Sequence, residues 1–395
     1  MRPALDDIKI LGITNWAAGA FAEQLLADMG AEVVRVERPG TGDDARQVSP
    51  QFNGVSTVYL YPNRNKKSIT LNLKDSAGVA MLKQLVADYD VIIENNRPGT
   101  MEKFGLDYDT LRAINPRVIL TSISGYGQTG PYRDRPAYDM NVQALSGLMS
   151  FTGAPEGPPL RTGAALCDYL AGLNAAYATL VAIVDRMRTG EGQRIDVSLF
   201  ESTVAILGVG LLDYLLLGRV RPRDANRWGS MMPSNTYKCS DGWVQISANT
   251  QVQWERLARA LGFPDGTSDP RFATDTARWE NREVLDQVVA DWAAGMNAAD
   301  LVRKLSEAGV PCGPVNTVED LVTDAQFKAR NCVAEVEHPT AGTLKLVAPM
   351  PRLSRTPGQV RTAPPLLGEH NAEVFARHLG IGDEELARLK EAGVI

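Results

Sequence analysis

Apolar residues recur along this chain with two different spacings. Short runs dense in Val and Ile, IKILGI at 8–13, AEVVRVE at 31–37, DVIIEN at 90–95 and RVILTSIS at 117–124, predict buried strands. Between them the apolar positions fall three and four apart, which predicts helices over 18–29, 76–88 and 107–113. A long helix opens at Asp168 and runs roughly to Arg188; QRIDVSL at 193–199 adds a strand, and a helix carrying the apolar run Leu211–Leu217 follows. Alternation of this kind predicts an α/β fold, a parallel sheet flanked by helices.

The texture then changes. GRVRPRDANRWGSMMPSN, residues 218–235, is rich in Arg, Pro, Gly and Asn and marks a connection between domains. Beyond it TYKCSDGWVQISA reads as a hairpin turning at Ser240-Asp241-Gly242, and helical spacing returns at 251–262, 278–294 and 297–308, so a smaller α+β domain is expected. VPCGPVNTVEDL is a second connection, ahead of a hairpin around HPTAGTLKLVAP and a terminal helical segment. The expected plan is a large domain over 1–200, a linker over 201–230, a small domain over 231–322 and a return stretch over 323–395.

Composition narrows the function classes. A net charge of −6 over 395 residues argues against nucleic acid as the main partner. Cys167, Cys239, Cys312 and Cys332 form no C-x-x-C pair, so neither a zinc site nor a disulfide framework is expected. The N-terminus lacks a signal-peptide pattern and no window holds eighteen uninterrupted apolar residues, so a cytoplasmic protein without membrane attachment is expected. The three histidines, His338, His370 and His378, all lie in the last sixty residues, which disfavours Ser–His–Asp, Cys–His and His-rich metal chemistry.

What remains is a carboxylate, Asp168, in the segment RTGAALCDYLAG. Such an Asp is either an N-cap, accepting a backbone N–H from the next turn, or a nucleophile that needs no histidine partner. Its neighbour Cys167 reads as a small buried packing residue. Asp139 likewise reads either as a cap or as part of the site. The opening β-α-β unit invites a dinucleotide reading, but Gly12 and Gly19 do not make the G-x-G-x-x-G turn. Arg38, Arg64, Lys66, Lys67 and Lys74 crowd into under forty residues, as a solvated face or as a phosphate-binding set.

RVERPGTGD, NRNKKSITLNL, DVIIENNRPG, GYGQTGPYRDRPAYD, the Gly163-to-Asp168 segment and TGEGQRIDVSLFE, in that order, together resemble class III CoA-transferases, the family of formyl-CoA and carnitine CoA-transferases. The likeness extends to GEH at 368–370 and the terminal AGVI. It implies a Rossmann-like large domain completed by the C-terminal part, a small domain on long linkers, and an interlocked homodimer. It implies acyl-CoA and a small carboxylic acid as substrates, no permanently bound cofactor and no metal.

Carried over residue by residue, the resemblance makes Asp168 the catalytic nucleophile and assigns CoA contacts to Trp16, Ala17, Arg38, Leu71, Lys74, Asn95, Asn96, Arg97 and Lys103. Substrate contacts fall to Tyr138, Asp139, Gly229 and Ser230. Ala17 stands where formyl-CoA transferase has a glutamine, Asn96-Arg97 replace a Phe-Gly pair, and WGSMMPS replaces a run of glycines, which turns the expectation away from oxalate. Related α-methylacyl-CoA racemases place a histidine before the equivalent of Asp139, where this chain has Tyr138. Tyrosine, with an ordinary pKa near 10, is a poor base at neutral pH, so transferase is favoured over racemase. A non-catalytic acyl-CoA binding protein is the further alternative.

Overall fold

The structure is a computed structural model that describes residues 2–229 and 231–395. The apolar runs form β1 (Lys9–Ile13), β2 (Glu32–Glu37), β3 (Lys66–Thr70), β4 (Val91–Glu94), β5 (Ile119–Ser124) and β6 (Arg194–Ser198). All six pair in parallel in the order β3-β2-β1-β4-β5-β6. Consecutive side chains along a strand point to opposite faces, and here both faces are covered. Ile10, Val33 and Ile93 pack under helices α1 (Trp16–Asp28) and α5 (Leu166–Thr189). Leu11, Val34 and Ile92 pack on the other face with α2 (Ser76–Val86), α3 (Tyr108–Ile114) and the C-terminal tail.

The chain divides into two compact units, residues 1–149, 161–220 and 331–395 in one, 150–160 and 221–330 in the other. In the first unit, α4 (Asp139–Leu145) precedes α5, while α6 (Leu199–Ile206) and α7 (Val209–Leu217) occupy much of the stretch expected as linker. The irregular chain starts only at Gly218, because the apolar run before it continues helical. In the second unit β7 (Ser234–Lys238), β8 (Trp243–Ser247) and β9 (Cys312–Pro314) form an antiparallel sheet, with α8 (Gln251–Leu261), α9 (Arg282–Ala294) and α10 (Ala298–Glu307) packed around Trp254 and Leu257.

The tail returns to the first unit as a hairpin, β10 (Val333–His338) and β11 (Gly342–Val347), then α11 (Asn371–Leu379) and α12 (Asp383–Glu391). Val394 and Ile395 end buried in the core beside Leu71, and the Asn72 N–H donates to the Val394 carbonyl. Helix α5 has the length and composition of a membrane span, but Cys167, Ala171, Ala175, Thr179 and Ile183 are buried against the sheet and α1.

Candidate active site

A strand order that runs outward in both directions from β1 and β4 leaves a crevice at their carboxyl ends, where open α/β sheets bind ligands. A crevice of about 480 Å³ lies there. Arg38, Leu71, Lys74 and Asn96 line it, so four of the residues expected to contact CoA come together from the loops after β2, β3 and β4. Lys103 stands with Lys74 around an adjoining cavity of about 630 Å³, and the two cavities share Leu73, Lys74 and Phe104. A third lysine, Lys83 of α2, lines that cavity. Lys74, Lys83 and Lys103 form no ion pair with a carboxylate among the described residues. Unneutralised cations gathered at one cavity suit phosphate groups. Lys83 is invisible in the sequence as anything but one polar position on an amphipathic helix.

The other clustered cations do not serve this purpose. Arg64 is buried against Asp28, at 2.9 and 2.7 Å. Lys66 is buried against Glu23 at 2.9 Å, and Lys67 pairs with Glu32 and Glu373. The phosphate reading fails for these three because each is already met by a carboxylate within the protein, as burial requires of Arg64 and Lys66. Arg38 remains exposed at the crevice, bonded to Asp44 and to the Gly42 carbonyl.

The loop that ends β1 is held by side chains. Arg35 donates to the Thr14 carbonyl at 2.8 Å, Asn95 donates to the Asn15 carbonyl at 2.7 Å and accepts the Asn15 N–H at 2.8 Å, and Asp43 accepts the Trp16 N–H at 3.1 Å. Asp43 in turn pairs with the fully buried Arg35 at 2.8 Å. This clamp holds Trp16 at φ 61°, a left-handed conformation that is strained for a bulky residue. The amide of Asn95 is thus spent on the Asn15 backbone. Trp16 is 40% exposed beside Ala17 at the start of α1. Gly12 serves packing rather than a pyrophosphate: a Cβ there would stand 2.1 Å from Glu23 Oε1. Arg97 lines a different cavity, with Glu94 and Glu102.

Helix α5 comes close to the first turn of α1. Gly172, one turn beyond Asp168, lets the Ala18 carbonyl approach to 2.7 Å from where its Cβ would be. The cap reading of Asp168 is overturned: the N-cap of α5 is Ala165, and Asp168 is the third residue of the helix. The cap comes from elsewhere, since Asp139 accepts the Cys167 N–H at 2.7 Å, and Asp139 caps this helix rather than its own. Tyr138, just before it, is 65% exposed.

Asp168 is half-buried, and its carboxylate accepts none of the hydrogen bonds found among the described residues. Burial, and then the charge of Asp139, raise its pKa from 3.8 to about 7. A carboxylate held this way is more basic than usual, hence more nucleophilic, and is still ionised in useful amount near neutrality. Burial raises the Cys167 thiol to about 11, which leaves it protonated and inert as a nucleophile. The histidines bond elsewhere: His338 accepts from Ala341, His370 accepts from Ser68, and His378 pairs with Asp88. Gly229 lies in the second unit with a positive φ, and Ser230 falls outside the described residues.

Comparison with known proteins identifies the family. A family model described as CoA-transferase family III matches residues 5–371. The chain is 41% identical over 396 residues to succinyl-CoA–D-citramalate CoA-transferase of Chloroflexus aurantiacus, covering 100% of this chain and 98% of that one. It is 38% identical to succinyl-CoA:glutarate CoA-transferase of Mus musculus, covering 100% and 91%. Among solved structures, a CAIB/BAIF family protein from Brucella suis superposes with a TM-score of 0.87 at 36% identity, covering 95% of this chain and 100% of that one.

Proposed function

The chain belongs to CoA-transferase family III and is a CoA-transferase, and we propose that it carries CoA from a small acyl thioester to a small carboxylic acid through covalent intermediates on Asp168. The observation that carries this reading is the Asp168 carboxylate itself, half-buried without a hydrogen-bond partner among the described residues and raised to about 7. A structural acid would be bonded to the groups it serves.

In the first step an Asp168 oxygen attacks the thioester carbonyl carbon, the C–S bond breaks, and CoA leaves as thiolate with an acyl–aspartyl anhydride behind it. The thiolate then attacks the aspartyl carbonyl carbon, releasing the donor acid and leaving an aspartyl–CoA thioester. The acceptor carboxylate attacks that thioester to form a second anhydride. The returning thiolate takes the acceptor acyl group, and Asp168 is regenerated as carboxylate. Each tetrahedral oxyanion needs backbone N–H donors; in the first turn of α5 the Leu166, Cys167 and Tyr169 N–H groups are bonded to Ala164, Asp139 and Ala165, which leaves the N–H of Asp168 itself as the candidate there.

We place CoA along the crevice with Arg38, Lys74, Lys83 and Lys103 toward its phosphates and Trp16, Ala17, Leu71 and Asn96 beside it; Asn95 acts through Asn15, and Arg97 approaches from its own cavity. Both relatives compared above use succinyl-CoA by name, which supports succinyl-CoA as donor and a dicarboxylate as acceptor. Apolar residues left exposed on α5 and α7, Tyr177, Val184 and Met187 with Leu215, Leu216 and Leu217, support an interlocked homodimer.

The test is an acyl-exchange screen by mass spectrometry in D2O, offering acyl-CoA donors and free acids to the wild type and to Asp168→Ala. New thioesters made by the wild type and not by the variant are expected. Equal turnover by the variant refutes the covalent route; deuterium at the α-carbon without exchange would instead establish a racemase.

A further inference from the structure

We infer that Gln143 is a positioning residue for the reaction, the side chain that fixes the approach of the chain to Asp168; the inference rests on Asp168 being the nucleophile. Gln143 is fully buried on α4, one turn after Asp139 and on the same face of that helix. Its Nε2 donates to Asp139 Oδ2 at 2.6 Å. Its Oε1 accepts from the Thr162 N–H at 2.9 Å and from the Thr162 hydroxyl at 3.3 Å. The other oxygen of Asp139 accepts the Cys167 N–H. Two side chains one turn apart therefore grip both ends of the segment 162–167 that leads into the nucleophile.

The chemistry of the grip selects glutamine. Ala165, at the N-cap of α5, has no polar side chain, so the helix start depends on Asp139. Asp139 can serve there only while its second oxygen is held, which needs a donor, and the same residue must accept from Thr162. A primary amide does both; a leucine does neither, and an ionised carboxylate loses the donor. Freed from capping by this arrangement, Asp168 keeps its carboxylate for substrate. A displacement of about 1 Å in a reacting group can cost about a hundredfold in rate.

The experiment measures exchange of 13C-succinate into succinyl-CoA by the full-length wild type, Gln143→Leu, Gln143→Glu and Asp168→Ala, across pH, with CoA affinity by calorimetry. Gln143→Leu should lower kcat about 10- to 100-fold, with KM for succinyl-CoA and CoA affinity within about threefold of wild type. In Gln143→Glu the introduced carboxyl faces Asp139, near Cys167 and Asp168, and burial keeps it protonated at lower pH. Protonated, it donates and accepts as the amide did, so activity should approach wild type near pH 6 and fall as this group ionises, while wild-type activity rises over the same range. Wild-type kcat in Gln143→Leu, equal losses of kcat and CoA affinity, or a wild-type pH profile in Gln143→Glu would overturn the inference. Transfer that survives in Asp168→Ala, or is absent from the wild type, would refute the functional reading instead and the inference with it.

Discussion

Replacing Asp168 by asparagine probes its environment without reference to any substrate. Burial, followed by the charge of Asp139, raises the folded-state pKa from 3.8 to about 7. The folded protein therefore holds this proton more tightly than the unfolded chain does, and ionising the group costs folding free energy. That cost is absent below about pH 4, grows as pH rises toward 7, and is complete above it. About three pKa units at about 1.4 kcal/mol each set an upper figure of about 4 kcal/mol, which solvent screening of a half-buried group reduces to about 2–3 kcal/mol. Asp168→Asn removes the charge and keeps the shape. Urea unfolding followed by tryptophan fluorescence should find the variant more stable than wild type by that amount at about pH 8, with the two converging toward pH 4. A gap that does not change with pH, or a wild type more stable at about pH 8, would show that the carboxylate is not strained and refute the reasoning. The same titration should appear in kcat/KM of the wild type as a rise through about pH 7.

Lys83→Ala should raise KM for acyl-CoA by about three- to tenfold at low salt with kcat unchanged, an effect that fades as salt rises; an unaltered KM at low salt would remove Lys83 from the binding surface. Asp43→Ala leaves the buried Arg35 guanidinium to share Glu23 with Lys66 and frees the Trp16 N–H, so a loss of about 3–5 kcal/mol in unfolding free energy is expected. A loss under about 1 kcal/mol would mean the pair does not hold that loop. Gly172→Val forces a Cβ to within 2.7 Å of the Ala18 carbonyl, which should cost about 1–3 kcal/mol and lower kcat as α1 and α5 part; unchanged melting temperature and kcat would contradict the close approach.

The period of the apolar residues made five of the six sheet strands and the long helix legible, because a strand buried on both faces can be little other than Val and Ile. The sixth, β3, was missed. Its sequence, KKSIT, carries two lysines, and their place in a sheet makes sense only beside Glu23, 43 residues away in the chain from the buried Lys66, and Glu32, 35 residues from the half-buried Lys67. The same long-range pairing defeated the reading of the cationic cluster: Lys66 and Lys74 look alike in sequence, yet one is locked to a carboxylate and the other lines a cavity. Asp168 was legible as an acid at the start of a helix, but its freedom from capping was not, since the group that relieves it is Asp139, 28 residues before the Cys167 whose N–H it accepts.

These cases share one cause. A charged residue states its chemistry in the sequence, and whether it is available is decided by what the fold brings to it. Arg35, Lys66 and Glu23 are fully buried among their own counter-charges beneath the end of β1, and Lys66 is pushed down to about 8 by burial even with Glu23 beside it. They spend their charge on holding Thr14 and, through Asp43, Trp16 in a conformation the backbone would otherwise leave. Lys74, Lys83 and Lys103 keep theirs for a ligand, and Asp168 keeps its carboxylate for a bond. Substrate affinity should therefore respond steeply to salt, because its cations face solvent, while the loop geometry under them should not, because its ion pairs are dry. A salt titration of acyl-CoA affinity alongside the circular dichroism of the tryptophans would separate the two. Near-ultraviolet signals that change in step with affinity would show that the buried pairs and the exposed lysines are one electrostatic system after all.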